Sequence, residues 1–169
     1  MTNGVFRFPN PVNEKVARTV AALVVVLTVV ILISPSPWLL AALALGFWLR
    51  VLFGPRVSPF AVLASRVVAP RLGPPRLVPG PPKRFAQGIG AALSTAALIT
   101  FLLGATTAAT VLVAMITAAA FLESVFAICL GCLIFGRLQR IGVIPASVCE
   151  ACNDIRLRRV ADPTTAAGR

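Results

Sequence analysis

An all-α integral membrane fold, with four transmembrane helices and a short interfacial helix in the central cytoplasmic loop, is what the sequence predicts from three observations. Hydrophobic residues make up 58 % of the 169 and charged residues only 12 %, against roughly 25 % charged in an ordinary soluble domain. Mean hydropathy is +0.92. The apolar residues gather into four long runs, and the Lys and Arg residues fall outside those runs or at their edges. Lipid covers apolar surface that a soluble chain would have to bury, so a single membrane domain over residues 1–142 accounts for the composition. Residues 143–169 read as a cytoplasmic tail, polar from Asp162 onward.

The first span is expected at about 16–33, ended by Ser34-Pro-Ser-Pro37. Asn10 before Pro11 reads as an N-cap with proline at the first helical position, which starts the helix about two turns ahead of the lipid. A basic start and an apolar run also describe a cleaved leader, but the chain turns apolar again after Pro37, where a secreted domain should turn polar. The second span, about 38–53, carries Arg50 near its end and stops at Gly54-Pro55. Arg50 is placed to snorkel toward the headgroups. The third span is expected at about 85–103. The fourth, about 108–135, exceeds the roughly 17 to 25 residues a crossing needs, so it should tilt or project past the bilayer.

Between the second and third spans, Phe60, Val62, Leu63, Val67 and Val68 interleave with Ser65 and Arg66, the pattern of an interfacial helix ending at Pro70. Pro70 to Pro82 then holds too much proline for a helix and reads as polyproline II. It serves either as a docking strip or, the reading favoured here, as a semi-rigid basic spacer on anionic lipid.

The charge map orients the bundle. All 16 Lys and Arg residues lie before or just inside the first span, between Arg50 and Arg84, or from Arg137 onward. The other two connections, 34–37 and 104–107, carry no charge. Both termini therefore face the cytoplasm. The net charge of +11 is assigned to orientation rather than to nucleic acid, which calls for a basic face with stacking groups on a soluble fold.

Composition also narrows the chemistry. With no His and no Tyr, Ser-His-Asp triads, Cys-His pairs and His-ligated metals are excluded. The five acids, Glu14, Glu123, Glu150, Asp154 and Asp162, form no paired-carboxylate or magnesium spacing. No Gly-rich phosphate loop is present. What remains is sulfur: Cys129/Cys132 and Cys149/Cys152, in the pattern C-x2-C-x16-C-x2-C.

That spacing fits a four-cysteine zinc site, with Gly131, Gly136 and Gly142 available to reverse the chain. Zinc knuckles, however, favour hairpin turns among polar residues, and 127–135 is apolar throughout. The alternative is dithiol exchange. Arg137, Arg140, Arg156, Arg158 and Arg159 are close in sequence to Cys149/Cys152 and favour thiolate there. The apolar surroundings of Cys129/Cys132 should raise its pKa, giving an exposed attacking pair and an embedded resolving pair. Inert packing cysteines are a third reading. Glu123 is the other candidate, because an acid within a membrane helix costs roughly 2.5 to 3.5 kcal/mol. In a continuous helix of about 100° per residue it lies about 240° from Cys129 and about 180° from Cys132. It is therefore expected to face the bundle interior, as a structural group or a proton relay, apart from the thiols.

Five ordered segments carry a resemblance: Phe8-Pro-Asn-Pro-Val-Asn-Glu14, Phe53-Gly-Pro-Arg-Val-Ser-Pro-Phe60, Arg71-Leu-Gly-Pro-Pro75, Arg84-Phe-Ala-Gln-Gly88 and Phe126-Ala-Ile-Cys-Leu-Gly-Cys132. Together they resemble the bacterial membrane family called domain of unknown function four-three-nine-five, from Phe8 to about Gly142. The resemblance implies a multi-pass protein of the bacterial inner membrane, of a kind often encoded beside thioredoxin-like proteins and thiosulfate sulfurtransferases. The family commonly places an acid and an aromatic after the second cysteine, whereas Leu133 and Phe135 follow here.

The expected function is a membrane-anchored, cytoplasm-facing dithiol or sulfur relay through Cys129, Cys132, Cys149 and Cys152, working with a thioredoxin-like or rhodanese-like (sulfurtransferase) partner and with no cofactor evident. The second expectation is a structural or scaffolding subunit of a larger membrane complex, with zinc on the four cysteines. A third is a permease for a small sulfur anion with Arg50 on its path, which needs cysteines along a pore although all four gather at one end.

Overall fold

In the computed structural model of the chain, the described residues are 12–54, 74, 76–145 and 148. Five helices account for most of them: α1 (Glu14–Ile33), α2 (Pro37–Phe53), α3 (Gly80–Leu102), α4 (Thr106–Phe126) and α5 (Leu130–Arg140). Two short strands, β1 (Val12–Asn13) and β2 (Leu77–Val78), pair antiparallel with Val12 opposite Val78. The expected interfacial helix before Pro70, most of the proline-rich stretch, and Cys149 and Cys152 lie outside the described residues.

The first helix begins at Glu14, later than Pro11 would place it. Val12 and Asn13 are held extended by β2, and the Asn13 side chain accepts the Lys15 amide at 3.0 Å as the N-cap. Glu14 in the first turn suits the helix dipole. It also meets Arg76 at 3.2 Å, fastening the start of α1 to the strand ahead of α3. Pro37 opens α2 at a position where a missing N–H costs nothing.

The third helix departs from expectation in a way that matters for function. It starts at Gly80 rather than near residue 85, with Pro81 and Pro82 in its first turn, where proline is tolerated. The stretch ending at Pro82 is thus partly helix, and Lys83 and Arg84 belong to α3.

The fourth expected span, 108–135, is two helices. The chain breaks over Ala127–Cys129, with Ala127 left-handed at φ 58°. A uniformly apolar run gives no periodicity signal for such a break. What stabilises it comes from α1: Arg18 donates from Nε and Nη2 to the Ser124 carbonyl at 3.1 and 3.0 Å, and from Nη2 to the Val125 carbonyl at 3.0 Å. A guanidinium on these carbonyls replaces the amides a continuing helix would supply and complements the dipole.

Antiparallel packing brings the start of α1, the end of α2, the start of α3, the end of α4 and all of α5 to one end of the bundle. Arg84 to the Val51 carbonyl, Lys83 to Glu123 and Arg18 to Ser124 make these connections. The core lies toward the other end, where Val24, Ile31, Leu40, Leu43, Val113 and Ile116 meet. Small residues let α3 approach its neighbours: Gly90, Ala91, Ser94 and Ala97 are all buried. A Cβ on Gly90 would sit 2.2 Å from the Phe47 ring. The buried hydroxyls of Thr28 and Ser94 bond to carbonyls of their own helices, at 3.0 and 2.7 Å.

The outside is apolar. Trp38 is 82 % exposed and Leu103 78 %. Helices α1, α3 and α4 are each long and apolar enough to cross a membrane, while α2, with 17 residues, is apolar but shorter.

Candidate functional site

The break after α4 redirects the chain so that Cys129 becomes the N-cap of α5. Its backbone is extended (φ −95°, ψ 102°), and its Sγ accepts the Cys132 amide at 3.3 Å. Sulfur thus occupies the place that a Ser, Asp or Asn oxygen takes at most helix starts. At the positive end of a helix dipole, the thiolate form gains stability. The close approach of α5 to α3 explains the glycine at position 131, between the cysteines. A Cβ there would lie 2.5 Å from the Ala86 Cβ and 2.6 Å from its Cα. The start of α5 therefore rests directly on the backbone of α3. A Phe85–Phe135 edge-to-face contact at 5.6 Å holds the next turn.

Both thiols are free, Cys129 buried and Cys132 half-buried. Contrary to the expectation of a uniformly raised pair, their acidities are split. The hydrogen bond from the Cys132 side chain holds the Cys129 thiol below its ordinary pKa against the opposing effect of burial, with the Lys83 charge and the Cys132 amide acting in the same direction. The same hydrogen bond, then burial and the charge of Cys129, push the Cys132 thiol far above its ordinary value.

Beside the thiols lies a buried ion pair between α3 and α4. Lys83 Nζ donates to Glu123 Oε1 at 2.5 Å, and the two side chains are 11 % and 14 % exposed. A lysine in the first turns of a helix is unfavourable with respect to the dipole, and Glu123 compensates it. Both charges act on both thiols. Residue Glu123, expected apart from the cysteines, is thus electrostatically coupled to them. The angular separation held for one continuous helix, and the break removes that premise.

Arg50, expected to snorkel outward, is instead 4 % exposed. Its Nε donates to the Gly46 carbonyl at 2.9 Å, its guanidinium lies 4.4 Å from the Phe47 ring centroid, and it feels the charge of Glu123. These partners replace water, which is why the side chain stays inside. Gln87, one turn beyond Lys83 on α3, keeps a buried Oε1 without a hydrogen-bond partner.

The structure therefore places Cys129, Cys132, Glu123 and Arg50 from the sequence-derived set at one end of the bundle, on α5, α4 and α2. Lys83 was missed, having been read as a loop residue ahead of the span. Two signals pointed to it: Gly80-Pro81-Pro82 is a helix start with early prolines, and Glu123 in an apolar run needs a cation. Among the described residues, no three Cys, Asp or Glu side chains are grouped to hold a metal, and two of the four ligands of the zinc reading lie outside them. In the position after the second cysteine, Leu133 is exposed, while Phe135 packs on Phe85.

No curated protein and no solved structure matches the chain. The family profile described as domain of unknown function DUF4395 matches residues 12–140, and the chain belongs to that family.

Proposed function

We propose that this protein is a membrane-anchored dithiol that exchanges with a disulfide or persulfide on a thioredoxin-like or sulfurtransferase partner, with Cys129 as the attacking sulfur and Cys132 as the resolving one. The observation that carries the reading is the N-cap position of Cys129, where the Cys132 amide and side chain both stabilise the thiolate. Attack by Cys129 forms a mixed disulfide and releases one partner sulfur as thiolate. Cys132 then bonds to the Cys129 sulfur and displaces the second partner sulfur. The partner gains two electrons, and the Cys129/Cys132 pair becomes a disulfide that a further dithiol must reduce. With a persulfide partner, the Cys129 thiolate takes the outer sulfur and the partner leaves as thiolate. Cys149 and Cys152 would pass electrons or sulfur onward from the tail.

The site belongs at the cytoplasmic face of the bacterial inner membrane. The positive-inside asymmetry of the sequence and the gathering of the described charged residues at one end of the bundle support this orientation. It treats α2 as a fourth crossing with both termini inside. Apolar surface as exposed as Trp38 and Leu103 suits lipid contact.

In a Cys132→Ser chain, a thioredoxin-like or rhodanese-like partner should remain covalently attached through Cys129, visible as a reducible adduct or as a persulfide by mass spectrometry. One zinc per chain in protein purified without oxygen, lost when any one of the four cysteines is replaced, would overturn the dithiol reading in favour of a structural subunit.

A further inference from the structure

The local sequence gives α4 no reason to end at Phe126. The run Val125-Phe-Ala-Ile-Cys-Leu130 has no proline or glycine. A helix continuing through it would bond the Ile128 and Cys129 amides to the Ser124 and Val125 carbonyls, four residues back. Instead the Ala127 and Ile128 amides both turn to the Leu122 carbonyl, at 3.2 Å from Ile128. Ala127 adopts φ 58° without a glycine's freedom to do so. Such a conformation persists where surrounding contacts fix it. The Ser124 and Val125 carbonyls are the two that Arg18 holds, through Nε and Nη2 at 3.0 to 3.1 Å.

We propose that Arg18 is the positioning residue of the dithiol site: by occupying these two carbonyls it keeps Cys129 out of a helix interior and at the N-cap of α5. This role rests on the dithiol reading, and Arg18 performs it through the backbone alone. Loss of the guanidinium leaves the Val125 carbonyl to the Cys129 amide, and α4 can then run on into α5 as one helix. Cys129 Sγ would no longer stand at a helix start to accept the Cys132 amide, 3.3 Å away in the broken form. In a helix interior that amide belongs to the Ile128 carbonyl.

The start of α1 is itself fixed. One turn before Arg18, Glu14 meets Arg76 at 3.2 Å, and its amide donates to the Arg76 carbonyl at 2.7 Å. Helix α1 is thereby tied to the strand ahead of α3. On the other side of the break, Gly131 seats α5 on Ala86 of α3. The break is thus held between α1 and α3, which that strand joins. A guanidinium suits the position because its planar fork reaches two carbonyls at once, and a cation complements the C-terminal end of α4.

Alkylation by iodoacetamide tests this in the full chain in detergent, carrying Cys132→Ser, Cys149→Ser and Cys152→Ser so that Cys129 is the one thiol. A hydroxyl at position 132 keeps a side-chain donor, and Lys83 and Glu123, whose charges act on the thiol, stay in every variant. The pH midpoint of the rate reads thiolate formation, and a change in access alone does not move it. It should lie below about 8.5 with Arg18 in place. In Arg18→Met it should rise by about one pH unit or more, the loss expected when a thiol leaves a helix N-terminus. Arg18→Gln, whose amide nitrogen reaches no further than the arginine Nε, keeps the Ser124 contact without the Val125 one and should give a smaller rise. Adding Ala127→Gly to either variant should reverse about half of the rise or more, because glycine adopts the left-handed turn unaided, whereas it restores no lost charge. An unchanged midpoint in Arg18→Met, or in Arg18→Gln if the methionine variant does not fold, overturns the proposal and leaves the dithiol reading standing. So does a raised midpoint that Ala127→Gly leaves where it is, since that assigns the effect to the charge of Arg18. If neither variant folds, Arg18 serves the whole fold and the local role is overturned. A midpoint at or above about 8.5 with Arg18 present overturns both readings.

Discussion

At Cys129 a thiol sits where a helix start usually carries a hydroxyl, amide or carboxylate oxygen, and the choice of sulfur couples local structure to reactivity. The Cys132 amide that closes the first turn of α5 also stabilises negative charge on Cys129 Sγ. The Cys132 side chain adds the largest contribution in the same direction. A thiol held below its ordinary pKa keeps its thiolate as pH falls, so alkylation of Cys129 by iodoacetamide should have its midpoint below the ordinary value of about 8.5. Cys132→Ala removes the side-chain donor but leaves the amide, and should move that midpoint upward. An unchanged midpoint would assign the low pKa to the helix end alone.

Element packing sets how closely α5 can approach α3, and two glycines in α5 make opposite predictions. Glycine in a helix interior costs roughly 1 kcal/mol against alanine, so either replacement gains that much before packing is counted. At Gly136 a Cβ meets nothing within 4 Å, and Gly136→Ala should stabilise the folded protein by about 0.5 to 1 kcal/mol. At Gly131 the new Cβ would press on Ala86 at 2.5 Å and on its backbone Cα at 2.6 Å. Backbone yields less easily than a flexible side chain, and overpacking of this kind costs about 1 to 3 kcal/mol. Gly131→Ala should therefore lower the unfolding midpoint in detergent and speed Cys132 alkylation, as α5 lifts away. Similar midpoints for the two variants would sink this account of the contact.

Across the whole molecule, every described charge lies at the end of the bundle that carries α5. A charge at the bilayer centre costs about 2.5 to 3.5 kcal/mol on insertion scales, which keeps such groups to one end or pairs them, as Lys83 and Glu123 are paired. If that end faces the cytoplasm, a membrane-impermeant maleimide should modify the cysteines in inverted vesicles and leave them unmodified in intact cells or right-side-out vesicles. Modification from the outer face would reverse the orientation and remove a cytosolic thioredoxin-like partner from reach.

Much of this molecule was legible in the residues themselves. Apolar runs placed α1 and α2 within a few residues, because Ser34-Pro-Ser-Pro37 and Gly54-Pro55 are local stops whose effect needs no partner. The asymmetry of Lys and Arg, and the elimination of chemistries that need histidine or tyrosine, were equally local. Only tertiary structure decided the site. The 127–129 break is stabilised by Arg18 from the far end of the sequence, and Ala127 in a left-handed conformation carries none of the signal a glycine would give. Lys83 entered because Pro81 and Pro82 serve as the first turn of a helix instead of preventing one. Arg50 turned inward because the Gly46 carbonyl and the Phe47 ring face replace its water. For the break the deciding partner is distant in sequence and near in space, a relation that hydrophobic periodicity does not encode. For Lys83 and Arg50 the deciding groups are near in sequence, and what periodicity does not show is which face of their helices the packing turns inward.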